Sequence, residues 1–286
     1  MDKRLKYILF TFSVLICLLI IISSYPSLVN NDFYKKETLN WQIQSIGQDI
    51  INLFCIVPFL FITSILILKN HPYAILLWQG CLLYLVYTYT IYCFDIHFNH
   101  YFITYCAILG LCFYQFIYFL VSTRKHIHFK ATTTRFNRII GIYFLVISIL
   151  FYALWLKDIL PSILNHSVPP SLIEVGLFSN PVHVLDLSIF LPGIFIIGIL
   201  IFRKHTLGYL MAPIMLTFFI LMDITIAILT ILMNKKGVTE NIDVAYIMFI
   251  FMVLSCLLLM RNLKLFNYSY ENNQNNDNTA FANYFN

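Results

Sequence analysis

Charge is scarce in this chain. Aspartate, glutamate, lysine and arginine together make up 11% of 286 residues, whereas 60% are hydrophobic. A water-soluble fold of this length needs a far more polar exterior, which excludes that class. Glycine is sparse as well, with nine in all. There is no P-loop, no dinucleotide-binding glycine pattern, no GxSxG and no HExxH, so no motif points to an enzyme or a bound cofactor. CxxC is also missing. The seven cysteines lie almost wholly in apolar runs and read as small hydrophobes rather than a disulfide framework. Cys93 and Cys106 flank one loop at a spacing that would let them pair.

What the chain does have is apolar runs of about 20 residues, the length an α-helix needs to cross hydrocarbon. They fall near 7–25, 47–68, 74–95, 101–121, 139–159, 183–202, 207–232 and 242–260. The expected class is an all-α polytopic membrane protein of about eight helices, with the lipid bilayer as its first partner. The first run reads as an uncleaved helix, because Ser23-Ser24-Tyr25-Pro26 makes a weak cleavage site. The net charge of +5 sits in short clusters beside the spans, which argues against nucleic-acid binding. With the N-terminus inside, 13 of the 18 lysines and arginines fall on the inner side, so N-in and C-in is expected. The basic inner segment 122–138 suits anionic lipid. Residues 1–266 read as a single membrane domain and the Asn-rich residues 267–286 as a disordered tail. Nothing in the chain speaks to its oligomeric state.

One stretch reads as though written twice. Asn52, Pro58, Lys69 and His71 match Asp186, Pro192, Arg203 and His205 at a constant offset of 134 residues. The expectation is two four-helix repeats, about 5–121 and 139–262. Four spans per repeat would relate them by an axis along the membrane normal. Pro58 and Pro192 would kink helices two and six at equivalent depths, either making a cavity or merely shaping how the helices pack.

Polar residues gather at the outer ends of these spans. Gln48, Asp49 and Asn52 open helix two; His183 and Asp186 open helix six. Asp49/Asn52 and His183/Asp186 are i,i+3 pairs, one face each. Asp95, His97 and His100 arrive on the same side, and Trp41, Gln44 and Glu174 are expected in the adjoining loops. Asp95, His97, His100, His183 and Asp186 supply donors of the kind zinc takes. The plain alternative is headgroup and helix-end chemistry. Asp223 stands apart, about ten residues from the outer end of span seven and so roughly 15 Å deep. A carboxylate at that depth marks a functional site by default. Tyr89, Gln115 or Thr88 would be its partner. The tyrosines of spans three and four read chiefly as packing and interface anchors, with a lipid or aromatic ligand as the alternative.

Gly47-Gln48-Asp49, the run from Trp78 and Gly80 through Tyr84, Tyr87, Tyr89 and Tyr92 to His97-Phe98-Asn99, and Asp186 through Pro192 to Arg203 and Gly208-Tyr209 carry a resemblance. Across residues 41–213 the chain resembles a family of bacterial multi-pass membrane proteins of unknown function. That resemblance implies a bacterial cytoplasmic membrane and transfers no activity. Three functions stay open: transport or handling of a small solute, ion or lipid; a membrane-embedded, metal-dependent hydrolase; and a non-catalytic sensor or assembly partner.

Overall fold

The computed structural model describes residues 3–30, 32–126, 135–239 and 241–284, with backbone alone for 122–126 and 265–284. The described residues form helices and no strand, and eight helical segments are long and apolar enough to cross a membrane. This is the architecture of a polytopic membrane protein. Its exterior agrees: Phe54, Phe94 and Ile103 are largely exposed, a surface that only lipid would cover cheaply.

The chain begins with α1 (Lys3–Val29). The second span is compound: α2 (Leu39–Ile51), a π-helical turn (Asn52–Ile56) and α3 (Val57–Leu68). Then come α4 (Ala74–Asp95), α5 (Phe102–His126), α6 (Arg135–Leu164) and the short α7 (Pro170–Val175). The sixth span repeats the compound plan with α8 (Pro181–Leu185), a π-helical turn (Asp186–Phe190) and α9 (Leu191–Phe202). It is followed by α10 (Thr206–Lys235) and α11 (Asp243–Tyr284).

Helix ends depart from the hydropathy reading where polar residues are helical. Thr38 caps α2, its hydroxyl accepting from the Trp41 amide at 3.3 Å, so Trp41 and Gln44 lie on the helix and not in a loop. The last helix runs on through the Asn-rich segment to Tyr284, where no order is expected from composition; a helix already nucleated extends cheaply. Residues 127–134 of the basic segment lie outside the described residues. Cys93 and Cys106 do meet, their sulfurs 3.9 Å apart and unbonded.

Pro58 and Pro192 do not sit inside continuous α-helix. Each is the second residue of a new α-helix directly after a π-helical turn. In that turn the Val57 amide reaches back to the Asn52 carbonyl, and the Leu191 amide to that of Asp186. The next carbonyl in this pattern, Leu187, would need an amide from residue 192, and proline has none. The Tyr152 hydroxyl donates to it instead, at 2.9 Å. Tyr152→Phe is therefore expected to lower stability by about 1–3 kcal/mol, the cost of an orphaned buried acceptor. A drop in the unfolding midpoint in detergent would show it; an unchanged midpoint would mean the carbonyl finds another donor.

Helix contacts come in matching sets. α1 packs on α3 as α6 packs on α9, and α4 packs on α5 as α10 packs on α11. Crosswise, α10 lies on both α4 and α2, while α4 also meets α8. Where α4 crosses α10 the backbones nearly touch. A Cβ added to Gly80 would stand 2.5 Å from Thr217 Cβ and 2.8 Å from the Ile214 carbonyl oxygen. The tight turns match too, with Asn70 and Lys204 in the left-handed region at φ 62° and 56°.

Hydrogen bonds fix which loops share an end. Glu37 holds His97 through both its backbone amide (2.8 Å) and its Nδ1 (2.9 Å). Thr38 donates to the Val175 carbonyl at 3.0 Å, and Asn40 Nδ2 donates to Glu174 Oε1. At the opposite end Lys6 reaches Asn70, and Arg261 lies over the Phe136 ring.

Candidate functional site

The polar residues picked out by sequence separate into two environments. The first surrounds Asp49, which is fully buried. Tyr34 and Tyr92 donate to its two oxygens at 2.7 and 2.8 Å. Tyr89 stacks on Tyr92, and Tyr105 packs against both rings. Tyr34 lies in the loop before α2; burial first, and then the Asp49 carboxylate, push its hydroxyl well above the usual tyrosine range. It therefore remains a donor. Of this knot only Tyr92 also lines the cavity described next, and Asp49 itself does not; its two bonds tie α2 to α4 and to the loop that carries Tyr34.

The second environment is a cavity of about 720 Å³ between α2, α4, α6, α7, α8, α9, α10 and α11. Its mouth lies at the end tied together by Asn40 and Glu174, and its walls reach inward to Leu191, Ile194 and Asp223. Asp223 is 12 residues before the end of α10 at Lys235, roughly 18 Å along the axis. Of the sequence candidates, Gln48, His183, Asp186 and Asp223 line this cavity. Asp49, Asn52, Asp95, His97 and His100 do not.

Local sequence explains how each side chain is presented. Asn180 caps α8, its side chain accepting from the amides of Val182 and His183, and so starts a helix in the turn that carries His183. The His183 ring packs against Trp155 with centroids 4.5 Å apart and the planes tilted by 50°. Asp186, three residues on, accepts from Trp155 Nε1 at 2.8 Å and from the Tyr87 hydroxyl at 3.1 Å. Its carboxylate is thus satisfied by two neutral donors. Gln48 donates to Asn52 Oδ1 and to the Tyr84 hydroxyl, Tyr84 donates to Thr225, and Thr225 donates to the Leu221 carbonyl. That relay runs along α10 beside Asp223 without including it.

Asp223 is 8% exposed, and its Oδ2 meets no hydrogen-bond donor among the described residues. None of the three expected partners serves it. The Tyr89 hydroxyl lies by Ser23 at 3.5 Å, and the Gln115 side-chain amide donates to the Leu111 carbonyl at 3.1 Å. Thr88 lines the cavity with no bond to the acid. An unmet carboxyl oxygen at this depth costs up to several kcal/mol.

The metal reading fares differently. Among the described residues, no three His, Cys, Asp or Glu side chains assemble as a ligand set. Asp95 and His97 lie by Glu37 in the loop cluster, while His183 and Asp186 face the cavity. Four of the five weak ligand candidates are therefore divided between two places, and His100 joins neither pair by any bond among the described residues. Sequence reasoning missed Trp155, Asp158 and Asn180 and read Tyr87 chiefly as a packing anchor, with a ligand contact as the alternative. The one available signal was Trp155, one of three tryptophans and placed near the same end as His183.

No family model matches the chain, and neither the curated proteins nor the solved structures contain a match. The resemblance noted across residues 41–213 gains no support there, and the site rests on its own geometry.

Proposed function

We propose that this protein binds a small, largely apolar solute in the α6–α11 cavity and passes it toward the middle of the membrane. One observation carries the reading: a cavity of about 720 Å³ reaches an unpaired carboxyl deep in a spanning helix. Sites of this size, apolar with a few converging polar groups, are the usual form of small-molecule pockets. Orientation follows the charge pattern, with both termini inside and the cavity mouth outside. The bacterial cytoplasmic membrane is the location that the family resemblance implies.

The reading includes an internal duplication. The two π-helical turns, the two left-handed turn residues and the starts of α3 and α9 all stand 134 residues apart. Gly80 touches Ile214, and Asn40 touches Glu174, each pair again separated by 134. Contacts between equivalent residues are what a two-fold axis produces. On that axis Asp49 corresponds to His183, Asn52 to Asp186 and Tyr89 to Asp223. The N-terminal copy is filled by tyrosines where the C-terminal copy is hollow.

The hydrolase alternative lacks an assembled ligand set, and no specific observation favours a sensor. Side-directed labelling tests the transport reading. In a cysteine-free background, Ser171→Cys at the mouth and Met222→Cys within the cavity are exposed to a membrane-impermeant thiosulfonate in oriented vesicles. Both are expected to react from the outside. A Met222→Cys that stays inert from either side would mean a sealed cavity and would end this proposal.

A further inference from the structure

The cavity has a charge character that its apolar walls obscure. Four acids line it: Asp158, Glu174, Asp186 and Asp223. Among the described residues no lysine or arginine does. Three of the four acids already have neutral donors: Ser171 for Asp158 at 2.6 Å, Asn40 for Glu174, and Trp155 with Tyr87 for Asp186. Asp223 has no such donor for its buried Oδ2. About one turn further from the mouth along α10, at Phe218 and Phe219, the wall is aromatic. Tyr87 and Phe218 both contact Phe190, at 4.9 and 5.1 Å between centroids, and Tyr143 contacts Phe219 at 6.1 Å.

These features select among solutes. An anionic solute, whether a phosphate, a carboxylate or an acidic lipid headgroup, would meet carboxylates and no cation. A neutral apolar solute would leave Asp223 unpaired at a cost of several kcal/mol. A strongly hydrated metal ion would find one free carboxyl and aromatic walls in place of an oxygen cage. A cation carrying an apolar body satisfies both parts. Its charge pairs with Asp223 while its body lies on the aromatic faces, which attract cations through their ring quadrupoles.

The geometry points to a lipophilic organic cation, a protonated amine or a quaternary onium ion, as the solute of this cavity, with Asp223 as its counter-ion. This rests on the solute-binding reading above and narrows it to one chemical class. Asp223 then has a reason to be unmatched within the protein. The partner that completes it arrives with the ligand.

Tetraphenylphosphonium and tetraphenylborate test this directly, since they share size and shape and differ in the sign of charge. Binding to the full chain in phosphatidylcholine nanodiscs is measured by equilibrium dialysis, with protein-free nanodiscs subtracted. The phosphonium is expected to bind saturably and the borate not, and Asp223→Asn should weaken the phosphonium by about tenfold or more. Equal binding of the borate, or an Asp223→Asn affinity like the parent's, overturns the cation assignment. In that case Ile226→Trp, which fills the cavity, shows whether the broader reading survives. Loss of borate binding in that variant keeps a solute site of another charge class. If neither ion binds the parent saturably, both readings fall. Should Asp223→Asn not accumulate, the contrast between the two ions on the parent decides alone.

Discussion

Asp49→Leu is expected to prevent the folded protein from accumulating. The substitution leaves the buried Tyr34 and Tyr92 hydroxyls without the acceptor they share. Each orphaned buried donor costs about 1–3 kcal/mol, so the pair together amounts to roughly 2–6 kcal/mol, a large part of a typical stability margin. Asp49→Asn keeps an acceptor oxygen and should fall between the parent and the leucine variant. Thermal unfolding in detergent, followed by size-exclusion profile, ranks the three. A leucine variant that accumulates and melts like the parent would mean that the two tyrosines find other acceptors. The anchoring role of Asp49 would then be lost.

Gly80→Leu should be at least as severe, for a different reason. Thr217 Cβ at 2.5 Å and the Ile214 carbonyl at 2.8 Å leave no room even for a methyl group. Thr217 Cβ is fixed by its own backbone and yields only to substitution, and the carbonyl is backbone of α10, so the two helices must separate. Overpacking of this kind costs about 1–3 kcal/mol for small excesses and more when backbone must move. Gly80→Ala is expected to lower the unfolding midpoint and Gly80→Leu to block assembly. Adding Thr217→Gly should recover only part of the alanine loss, because the carbonyl contact persists. Full recovery would place the clash wholly in the Thr217 side chain. An unchanged midpoint in Gly80→Ala would show that α4 and α10 are not held at contact distance.

Most of the architecture was legible in the sequence, because bilayer thickness dictates the length of apolar runs. The runs underestimated helices with polar ends. Leu39–Gly47 belongs to α2 although it carries Asn40, Gln42 and Gln44, since hydropathy cannot see a helix that turns its polar side toward other protein. The prolines were visible, but the π-helical turns ahead of them were not, because a π turn leaves no residue signature of its own. Asp223 stood out on depth alone. The contrast between Asp49 and Asp186 was hidden, because it depends on donors brought from elsewhere in the chain: Tyr34 and Tyr92 for one, Tyr87 and Trp155 for the other. A tyrosine or tryptophan in a chain with 17% aromatic residues gives no sign of which acid it will meet. The cavity was equally invisible, being a gap between eight helices.

The same hydrogen bonds carry a consequence for the order of assembly. The tyrosines that hold Asp49, Tyr34 in the loop before α2 and Tyr92 on α4, both precede α6 in the chain, so the Asp49 knot can close before α6 is synthesised. Asp186 depends on Tyr87, a residue made 99 positions earlier. The later helices therefore complete their polar interior only by docking on the earlier ones. Synthesis from the N-terminus supplies the Asp49 knot first and the Asp186 cluster, which leans on Tyr87 of α4, second.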